Sequence, residues 1–230
     1  MSLVGSLQYA AIVSRPDIAF AVQVLSRHLQ CSGEEHWMAG KRVLRYLRGT
    51  RTLGIKYSAE GARDGEPLVG YAQELQGFSD ADWAGDRETR RSTTGYVFKM
   101  AGGSVSWGSK LQQSVALSSA ESEYMAVSVA TQEALYLRRL LGDLGVEQRG
   151  PTVIWEDNQG CVALAKNPVH HQRTKHIDIR YHFVRECVAS NEIDLVWIPT
   201  QDQQADLLTK ALGAQRNVYL RDKLLGYKID

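Results

Sequence analysis

The spacing of hydrophobic residues divides the chain into two parts with different periodicity. In the first part, apolar side chains recur every three to four residues, as at Ile18, Val22 and Leu25, which is typical of a helix with one buried face. Pro16 suits the first turn of this helix. We therefore predict that residues 1–57 form a helical segment.

A second helix is predicted near the end of this segment. Ser32 and Glu35 stand three residues apart and can form a capping box, and Gly49 is a suitable stop. The residues that follow are small, charged or Gly, a composition typical of loops. Residues 58–74 are therefore predicted to be a linker.

Beyond the linker, the hydrophobic pattern shortens to runs typical of strands, separated by longer helical stretches. Five strands are predicted, at 75–80, 96–100, 104–107, 152–155 and 193–198. Helices are predicted over 118–141, directly after 157, over 174–189 and from 200 onward. Gly102 and Gly103 indicate a hairpin between the second and third strands.

The order of these elements predicts an α/β fold with a mixed five-stranded sheet flanked by helices. The first three strands are joined by tight turns and should pair antiparallel, whereas the last two return through helices and should lie parallel to a neighbour. Residues 75–213 are predicted to form this domain, and residues 214–230 a C-terminal tail.

The composition excludes several classes of protein. The 230 residues are 43% hydrophobic and 23% charged, with a formal net charge of +1, so any contact with nucleic acid must use local clusters of Lys and Arg. The three cysteines form no CxxC pair, which argues against a disulfide framework or a cysteine zinc site. No apolar run suggests a membrane span or a signal peptide, so an intracellular protein without a membrane partner is expected.

Four acidic residues stand in positions that favour a shared site. Two follow strands: Asp80 ends the first predicted strand and Asp157 follows the fourth. Two belong to helices: Glu123 lies near the start of the long helix and Asp206 early in the last one. Carboxylates delivered by four elements to one sheet edge provide the oxygen ligands that hard divalent cations prefer.

Neighbouring acids compete for two of these assignments. Glu123 continues the apolar stripe of the long helix and should face the sheet. Glu121 lies on a more polar face and can cap the helix together with Ser118. Asp80 and Asp82 share a strand face, so the pattern does not separate them.

The other two acids have structural explanations as well. Asp157 can serve as the N-cap of a helix that begins at Asn158. Asp206 lies early in a helix that Thr200 and Gln203 can cap, where a carboxylate favours the helix dipole. Their common position at one end of the sheet argues for a functional role.

Six motifs occur in order between residues 75 and 212. They read Gly-Phe-Ser-Asp-Ala-Asp-Trp-Ala-Gly-Asp, Arg-Arg-Ser-Thr-Thr-Gly-Tyr, Ser-Ser-Ala-Glu-Ser-Glu-Tyr-Met-Ala, Glu-Asp-Asn-Gln, Arg-Thr-Lys-His-Ile-Asp-Ile-Arg-Tyr-His and Ala-Asp-Leu-Leu-Thr-Lys. Together they resemble the ribonuclease H region of copia-type LTR retrotransposon Pol polyproteins. The first part of the chain, with Arg-Pro-Asp-Ile-Ala and Lys-Arg-Val-Leu-Arg-Tyr-Leu-Arg-Gly-Thr, is similar to the end of their reverse transcriptase region, but it contains no Tyr-x-Asp-Asp polymerase motif.

The resemblance implies a ribonuclease H-like fold and a metal-dependent endoribonuclease that hydrolyses the RNA strand of RNA/DNA hybrids, without polymerase activity. The implied catalytic and metal-binding residues are Asp80, Glu123, Asp157 and Asp206. Two Mg²⁺ ions, replaceable by Mn²⁺, are the implied cofactors, with Asp80 bridging them. The Glu-x-x-Ala pattern selects Glu123 over Glu121, and the motif alone selects Asp80 over Asp82.

The resemblance also implies partners and a cellular location. The partners are the RNA/DNA hybrid and the upstream reverse transcriptase domain of the polyprotein. The expected location is the cytoplasm, in a virus-like particle, or the nucleus. Cellular ribonucleases H carry a His before the last helix that assists proton transfer, whereas the corresponding loop here reads Ile-Pro-Thr-Gln-Asp, a difference that bears on the rate rather than on the reaction.

Candidate contacts with the nucleic-acid backbone lie close to these motifs. Basic residues near the first turn offer positive charge, and serines at the start of the long helix offer N–H groups and hydroxyls to a phosphate. These candidates are Arg87, Arg90, Arg91, Lys110, Ser118 and Ser119. For the basic residues, a solvated turn without a ligand is the alternative explanation.

Two other functions are weighed against this one. The histidines of one segment suggest zinc, but His176 and His182 are six positions apart, a spacing that does not place them on one helical face. The remaining members of this segment are His170 and His171. A catalytically silent, transposon-derived nucleic-acid-binding module is the main alternative, although such a module is expected to lose carboxylates and all four are present.

Overall fold

The structure is a computed structural model that describes residues 2–58, 74–166 and 175–227. The predicted linker falls almost entirely outside these ranges, as do His170 and His171. Within the described ranges, no helix combines the length and the apolar character that crossing a membrane requires.

Three helices form the N-terminal segment: α1 (Ser2–Val13), α2 (Ala19–Arg27) and α3 (Glu34–Gly49). Leu7 of α1 and Val22 of α2 are buried in one hydrophobic cluster that also includes α3. The sequence predicts α2 and α3, but not α1. The apolar residues of α1 are distributed around the helix instead of along one stripe, so the periodicity argument does not detect it.

The start of α3 differs from the prediction by one residue. Gly33 precedes the helix in place of Ser32, and its backbone N–H donates to Nδ1 of His36 at 3.0 Å. His36 therefore makes the capping contact that was predicted for Glu35, whose side chain is exposed.

A five-stranded sheet forms the centre of the fold. Its strands are β1 (Gln76–Asp82), β2 (Thr93–Met100), β3 (Gly103–Leu111), β4 (Thr152–Glu156) and β5 (Ile193–Trp197). They lie in the order β3-β2-β1-β4-β5; β2 is antiparallel to β1 and β3, and β4 is parallel to β1 and β5. This confirms the predicted mixed sheet and agrees with the ribonuclease H-like fold that the resemblance implies.

One face of the sheet is covered by the central helices. These are α4 (Ser119–Asp143), α5 (Gln159–Lys166) and α6 (Lys175–Ala189). Val127 of α4 and Ile154 of β4 are fully buried in the cluster that joins this face to the helices. Because strand residues alternate between faces, Ile154 identifies the side of β4 that faces α4.

The other face carries α7 (Ala214–Leu225) and a 3-10 turn, Gln204–Leu208. Leu220 of α7 is fully buried in the cluster on this face. The N-terminal segment packs on the same side, where Nε1 of Trp107 donates to the carbonyl oxygen of Ala11 at 2.7 Å. The helix α7 occupies most of the stretch assigned to a C-terminal tail; the domain boundaries stay predictions.

Candidate metal centre

The acidic residues singled out in the sequence meet at the edge of the sheet where β1 and β4 end. The pairing of these two strands runs only as far as Phe78 and Trp155. Asp80 lies two residues beyond Phe78, and only 1% of its surface is exposed. Asp157 follows β4 directly and is half-buried. The two carboxylates therefore lie where the strands no longer pair.

Asp206 reaches this edge from a 3-10 turn and not from the predicted helix. Residues 200–208 form two short 3-10 turns because the backbone of Gln203 between them is extended, with φ −67° and ψ 103°. The Gln203 side chain turns inward, and its Nε2 donates to the carbonyl oxygens of Ser79 at 2.8 Å and Trp155 at 3.3 Å. Its Oε1 accepts from the N–H of Ala205 at 3.2 Å, so Gln203 caps the second 3-10 turn and not the predicted helix. The prediction of one helix here is therefore wrong.

A glycine allows this turn to lie directly against the sheet. Gly95 of β2 pairs with Asp80 of β1. A Cβ atom at Gly95 would lie 2.6 Å from the side chain of Thr209 and 3.1 Å from the carbonyl oxygen of Ala205. The hydroxyl of Thr209 donates to Oδ2 of Asp80. The missing side chain thus permits the turn that carries Asp206 to approach Asp80.

Glu123 and Glu156 lie on the side of the sheet edge that faces α4. Glu123 is 7% exposed, and its Oε2 accepts a hydrogen bond from the backbone N–H of Ala81 at 2.7 Å. Glu156 is fully buried, and its Oε1 accepts from the N–H of Asn158 at 3.1 Å. Among the residues that the structure describes, Oε2 of Glu156 has no hydrogen-bond partner.

The competing acids have other partners. Oε2 of Glu121 accepts from the backbone N–H of Leu117 at 2.9 Å. Oδ1 of Asp82 accepts from the backbone N–H of Thr93 on the neighbouring strand. Ser118 caps α4 by accepting from the N–H of Glu121 at 3.2 Å, as predicted, but the Glu121 side chain bonds one residue earlier than the predicted capping box. Both carboxylates thus accept from backbone groups.

The carboxylates form two groups that share one residue. One group is Asp80, Asp157 and Asp206; the other is Glu123, Glu156 and Asp157. Within each group, one oxygen from every residue lies within 4.8 Å of the others. The residue common to both groups is Asp157, whereas the resemblance implies Asp80 as the bridging ligand; the bridging role stays a prediction.

Asp157 is not needed as a helix cap. The residue before α5 is Asn158, and its Oδ1 accepts from the backbone N–H of Cys161 at 3.0 Å. The structural explanation offered by the sequence for Asp157 is therefore wrong, because the cap lies one residue later. The Asp157 carboxylate is therefore available to both carboxylate groups at the edge of the sheet.

The crowding of buried carboxylates raises their affinity for protons. Burial, reinforced by the nearby Asp206, raises the pKa of Asp80 to about 7, although Lys210 opposes this effect. Burial and the charge of Glu156 raise the pKa of Glu123, and burial also raises the pKa of Glu156. A cation bound among these groups would relieve both the burial cost and the repulsion.

Two basic side chains partly neutralise this site. Nζ of Lys210 lies 2.6 Å from Oδ1 of Asp206 and 3.7 Å from Oδ2 of Asp80. Arg216 of α7 forms an ion pair with Oδ2 of Asp206 and donates to the carbonyl oxygen of Thr200 at 2.6 Å. An ammonium group thus lies between two carboxylates of the first group, which shows that this position favours positive charge.

The donor set fits a hard divalent cation. Both groups offer only carboxylate oxygens, the ligands that Mg²⁺ and Mn²⁺ prefer over sulfur and imidazole nitrogen. Within the described part of the chain, neither group includes a histidine, and His182 is exposed on α6. The donor set of these two groups therefore favours a hard divalent cation and does not involve the histidines considered as zinc ligands.

The predicted nucleic-acid contacts lie around the same edge. The arginine turn joins β1 to β2 directly after Asp82, and it is tied to α2 by an ion pair of 2.9 Å between Asp86 and Arg27. Exposed members of the predicted set are Arg87, Arg90, Lys110, Ser118 and Ser119, and Arg91 is half-buried. Ser118 caps α4. Their role in binding stays a prediction.

Three residues of the site were not identified from the sequence. The alternation that buries Ile154 of β4 extends to Glu156, and this period of two was a sufficient signal. Lys210 follows Asp206 by four residues, a spacing at which opposite charges pair on a helix, so a local signal for this contact was present. Arg216 has no signal, because its contact depends on how α7 packs.

The chain is similar in sequence to several curated proteins. It is 45% identical over 211 residues to the retrovirus-related Pol polyprotein from transposon TNT 1-94 of Nicotiana tabacum, and 43% identical over 211 residues to that from transposon RE2 of Arabidopsis thaliana. Both alignments cover 92% of the chain, which spans only 15% and 14% of the two polyproteins. No protein-family model matches the chain.

The chain is also similar to a secreted effector protein in sequence and to a ribonuclease H in structure. The chain is 53% identical over 137 residues, or 60% of its length, to the secreted RxLR effector protein 161 of Plasmopara viticola, and it covers 89% of that protein. In three dimensions, 60% of the chain aligns with 93% of LC11-RNase H1, isolated from compost, at 15% identity and a TM-score of 0.45. At that level of similarity, the structural likeness bears on neither substrate nor activity.

Proposed function

We propose that this chain, which belongs to the retrovirus-related Pol polyproteins of transposons, is a metal-dependent endoribonuclease that hydrolyses the RNA strand of RNA/DNA hybrids. The observation that supports this most is the meeting of five acidic side chains at one edge of the sheet. Buried carboxylates at such density are costly unless a cation neutralises them. Divalent cations held in this way are suited to phosphodiester hydrolysis.

The acidic residues would serve as the ligands of two Mg²⁺ ions, for which Mn²⁺ could substitute. The proposed catalytic ligands are Asp80, Glu123, Asp157 and Asp206. When bound, the ions would supply Lewis acidity to the scissile phosphate and to a water molecule. The surrounding residues hold the ligands in place: Gln203 joins the ends of β1 and β4, and Thr209 orients Asp80.

Side chains around the edge would hold the nucleic-acid backbone. Basic side chains offer charge to phosphates, and the start of α4 offers a helix N-terminus beside Glu123. The proposed contacts are Arg87, Arg90, Arg91, Lys110, Ser118 and Ser119. Because the formal net charge of the chain is only +1, these local groups would have to supply the attraction.

The proposal extends to the context in which the chain acts. The upstream reverse transcriptase domain of the polyprotein is the proposed protein partner, in the cytoplasm within a virus-like particle or in the nucleus. The N-terminal helices support this arrangement, since they pack directly on the sheet through Trp107 and Ala11 and through Arg27 and Asp86. Such packing would fix a neighbouring domain relative to the site.

The test is cleavage of a labelled RNA/DNA hybrid in the presence of Mg²⁺. Asp157→Asn removes the carboxylate that both groups share while nearly preserving its shape. We expect the initial rate to fall by at least about a hundredfold, which corresponds to about 3 kcal/mol of transition-state stabilisation. Asp194→Asn is the matched control, because Asp194 lies on β5 in an ion pair with Lys166 and in neither group.

The control variant should cleave at the wild-type rate. Duplex RNA and duplex DNA of the same sequence should resist cleavage, which tests the substrate class. Cleavage that survives Asp157→Asn would contradict the proposal. Hybrid binding without cleavage by the wild-type chain would instead favour the catalytically silent binding module.

A further inference from the structure

Glu156 is a buried carboxylate that is not among the four proposed catalytic ligands. It is the last residue of β4 and is fully buried. Its Oε1 accepts from the N–H of Asn158, but its Oε2 has no hydrogen-bond partner in the described part of the chain. Burying a carboxylate oxygen without a partner is costly. A cation bound at this carboxylate would offset that cost.

The surroundings of Glu156 identify the kind of ligand. One of its oxygens lies within 4.8 Å of oxygens from Glu123 and Asp157. Oxygens on opposite sides of one Mg²⁺ ion are about 4.2 Å apart, since each Mg²⁺–O bond is about 2.1 Å long. Three carboxylate oxygens at such separations match a single divalent cation in size and charge.

The alternation of β4 places this group on a particular side of the sheet. Glu156 is two residues beyond Ile154, whose side chain packs towards α4. Asp80 is two residues beyond Phe78, which belongs to the cluster on the opposite face. The two carboxylate groups therefore approach the edge from opposite faces, with Asp157 between them.

We propose that Glu156 is a fifth metal-binding carboxylate, which holds a divalent cation together with Glu123 and Asp157 on the α4 side of the sheet edge. This inference rests on the proposed function, since it assigns a further ligand to the same centre. It gives the unpartnered oxygen of Glu156 a partner. It also explains why an acid, and not an apolar residue, continues the buried face of β4.

Glu156→Gln separates this role from a structural one. Glutamine has nearly the same shape and can still accept the hydrogen bond from Asn158, so the buried packing of β4 is preserved. If Glu156 only fills space, cation binding does not change. If it is a ligand, loss of its negative charge should weaken binding by about tenfold or more.

The experiment is a titration of the whole chain with Mn²⁺ alone. Binding is measured by calorimetry and by the decrease in the electron paramagnetic resonance signal of free Mn²⁺. Wild type is compared with Glu156→Gln and with the matched control Glu121→Gln. Glu121 lies two residues before Glu123 but bonds to the N–H of Leu117 and belongs to neither group. We expect about tenfold weaker binding, or loss of one site, for Glu156→Gln alone.

A second variant covers the case in which Glu156→Gln disturbs the fold. Glu156→Asp keeps the charge on a shorter side chain, so it should restore part of the Mn²⁺ affinity and of the Mn²⁺-induced rise in melting temperature. Equal Mn²⁺ affinity in wild type and Glu156→Gln, or no recovery in Glu156→Asp, overturns the assignment of Glu156 and leaves the proposed function standing. Absence of Mn²⁺ binding in the wild type overturns both.

Discussion

The crowding of carboxylates should make folding depend strongly on pH when no metal is bound. Burial, together with Asp206, raises the pKa of Asp80 from its ordinary 3.8 to about 7. The folded protein therefore holds this proton more tightly than the unfolded chain does. The resulting contribution to the free energy of unfolding is complete below about pH 4 and is lost as the pH rises through about 7.

The substitution Asp80→Asn removes this dependence at nearly constant shape. Asparagine has no charge to lose, and its Oδ1 can still accept from the hydroxyl of Thr209. The full effect of Asp80 corresponds to about 4 kcal/mol, because each pH unit between the two pKa values is worth about 1.4 kcal/mol. Part of this effect is already lost at pH 5, so about 2–3 kcal/mol should be lost between pH 5 and pH 8.

The assay is urea denaturation in a metal chelator at these two pH values. The free energy of unfolding of Asp80→Asn should rise relative to that of wild type by about 2–3 kcal/mol between pH 5 and pH 8. The control Asp194→Asn, at a half-buried position away from the carboxylate groups, should change this difference by less than about 0.5 kcal/mol. Excess Mg²⁺ at pH 8 should stabilise the wild type and reduce the advantage of the Asn variant.

Two results would refute this reasoning. The first is a wild-type free energy of unfolding that runs parallel to that of Asp80→Asn across the pH range, which would mean that Asp80 is already neutralised in the metal-free protein. The ion pair with Lys210 is the contact that would do so, since its Nζ lies 3.7 Å from Oδ2 of Asp80. The second is an Asn variant that gains as much from Mg²⁺ as the wild type does.

Two further substitutions test how the site is held. Gly95→Ala should lower the free energy of unfolding by about 1–3 kcal/mol and weaken Mn²⁺ binding, because the new Cβ would press on the turn at Ala205. The control is Gly142→Ala, which should not destabilise the protein because nothing lies within 4 Å of its new Cβ. Urea denaturation measures the stability of both variants. Gln203→Met should lower the free energy of unfolding by about 2–4 kcal/mol in the same assay, because it leaves two strand carbonyls unpaired. The control Gln201→Met, at an exposed position, should lower it little. Wild-type stability in either Gly95→Ala or Gln203→Met would show that the turn does not need these contacts.

The sheet was predictable because its signals are local. The hairpin glycines, the short apolar runs and the helices between the later strands are all readable within windows of a few residues. The same holds for Glu123, whose place in the apolar stripe of α4 predicts the buried position that it has. Periodicity relates a residue to its near neighbours, and these features depend on nothing else.

The turn that carries Asp206 was not predictable because its signals are distant. Thr200 and Gln203 have the spacing of a helix cap, yet the Gln203 side chain bonds to Ser79, which lies 124 residues earlier in the chain. The space for the turn depends on Gly95, on a third element. Local preference predicts a helix here, and tertiary hydrogen bonds prevent it.

The two consecutive acids at the end of β4 explain how one sheet edge can serve two groups of carboxylates. Successive residues of a strand point to opposite faces, so Glu156 continues the face of Ile154 while Asp157 begins to leave the strand. Asp157 can therefore approach both Glu123 and Asp206, which come from opposite sides of the sheet. Glu156 adds a further carboxylate to the group on the α4 side only. The Glu-Asp pair is thus the feature of the sequence on which the idea of two cation positions most depends.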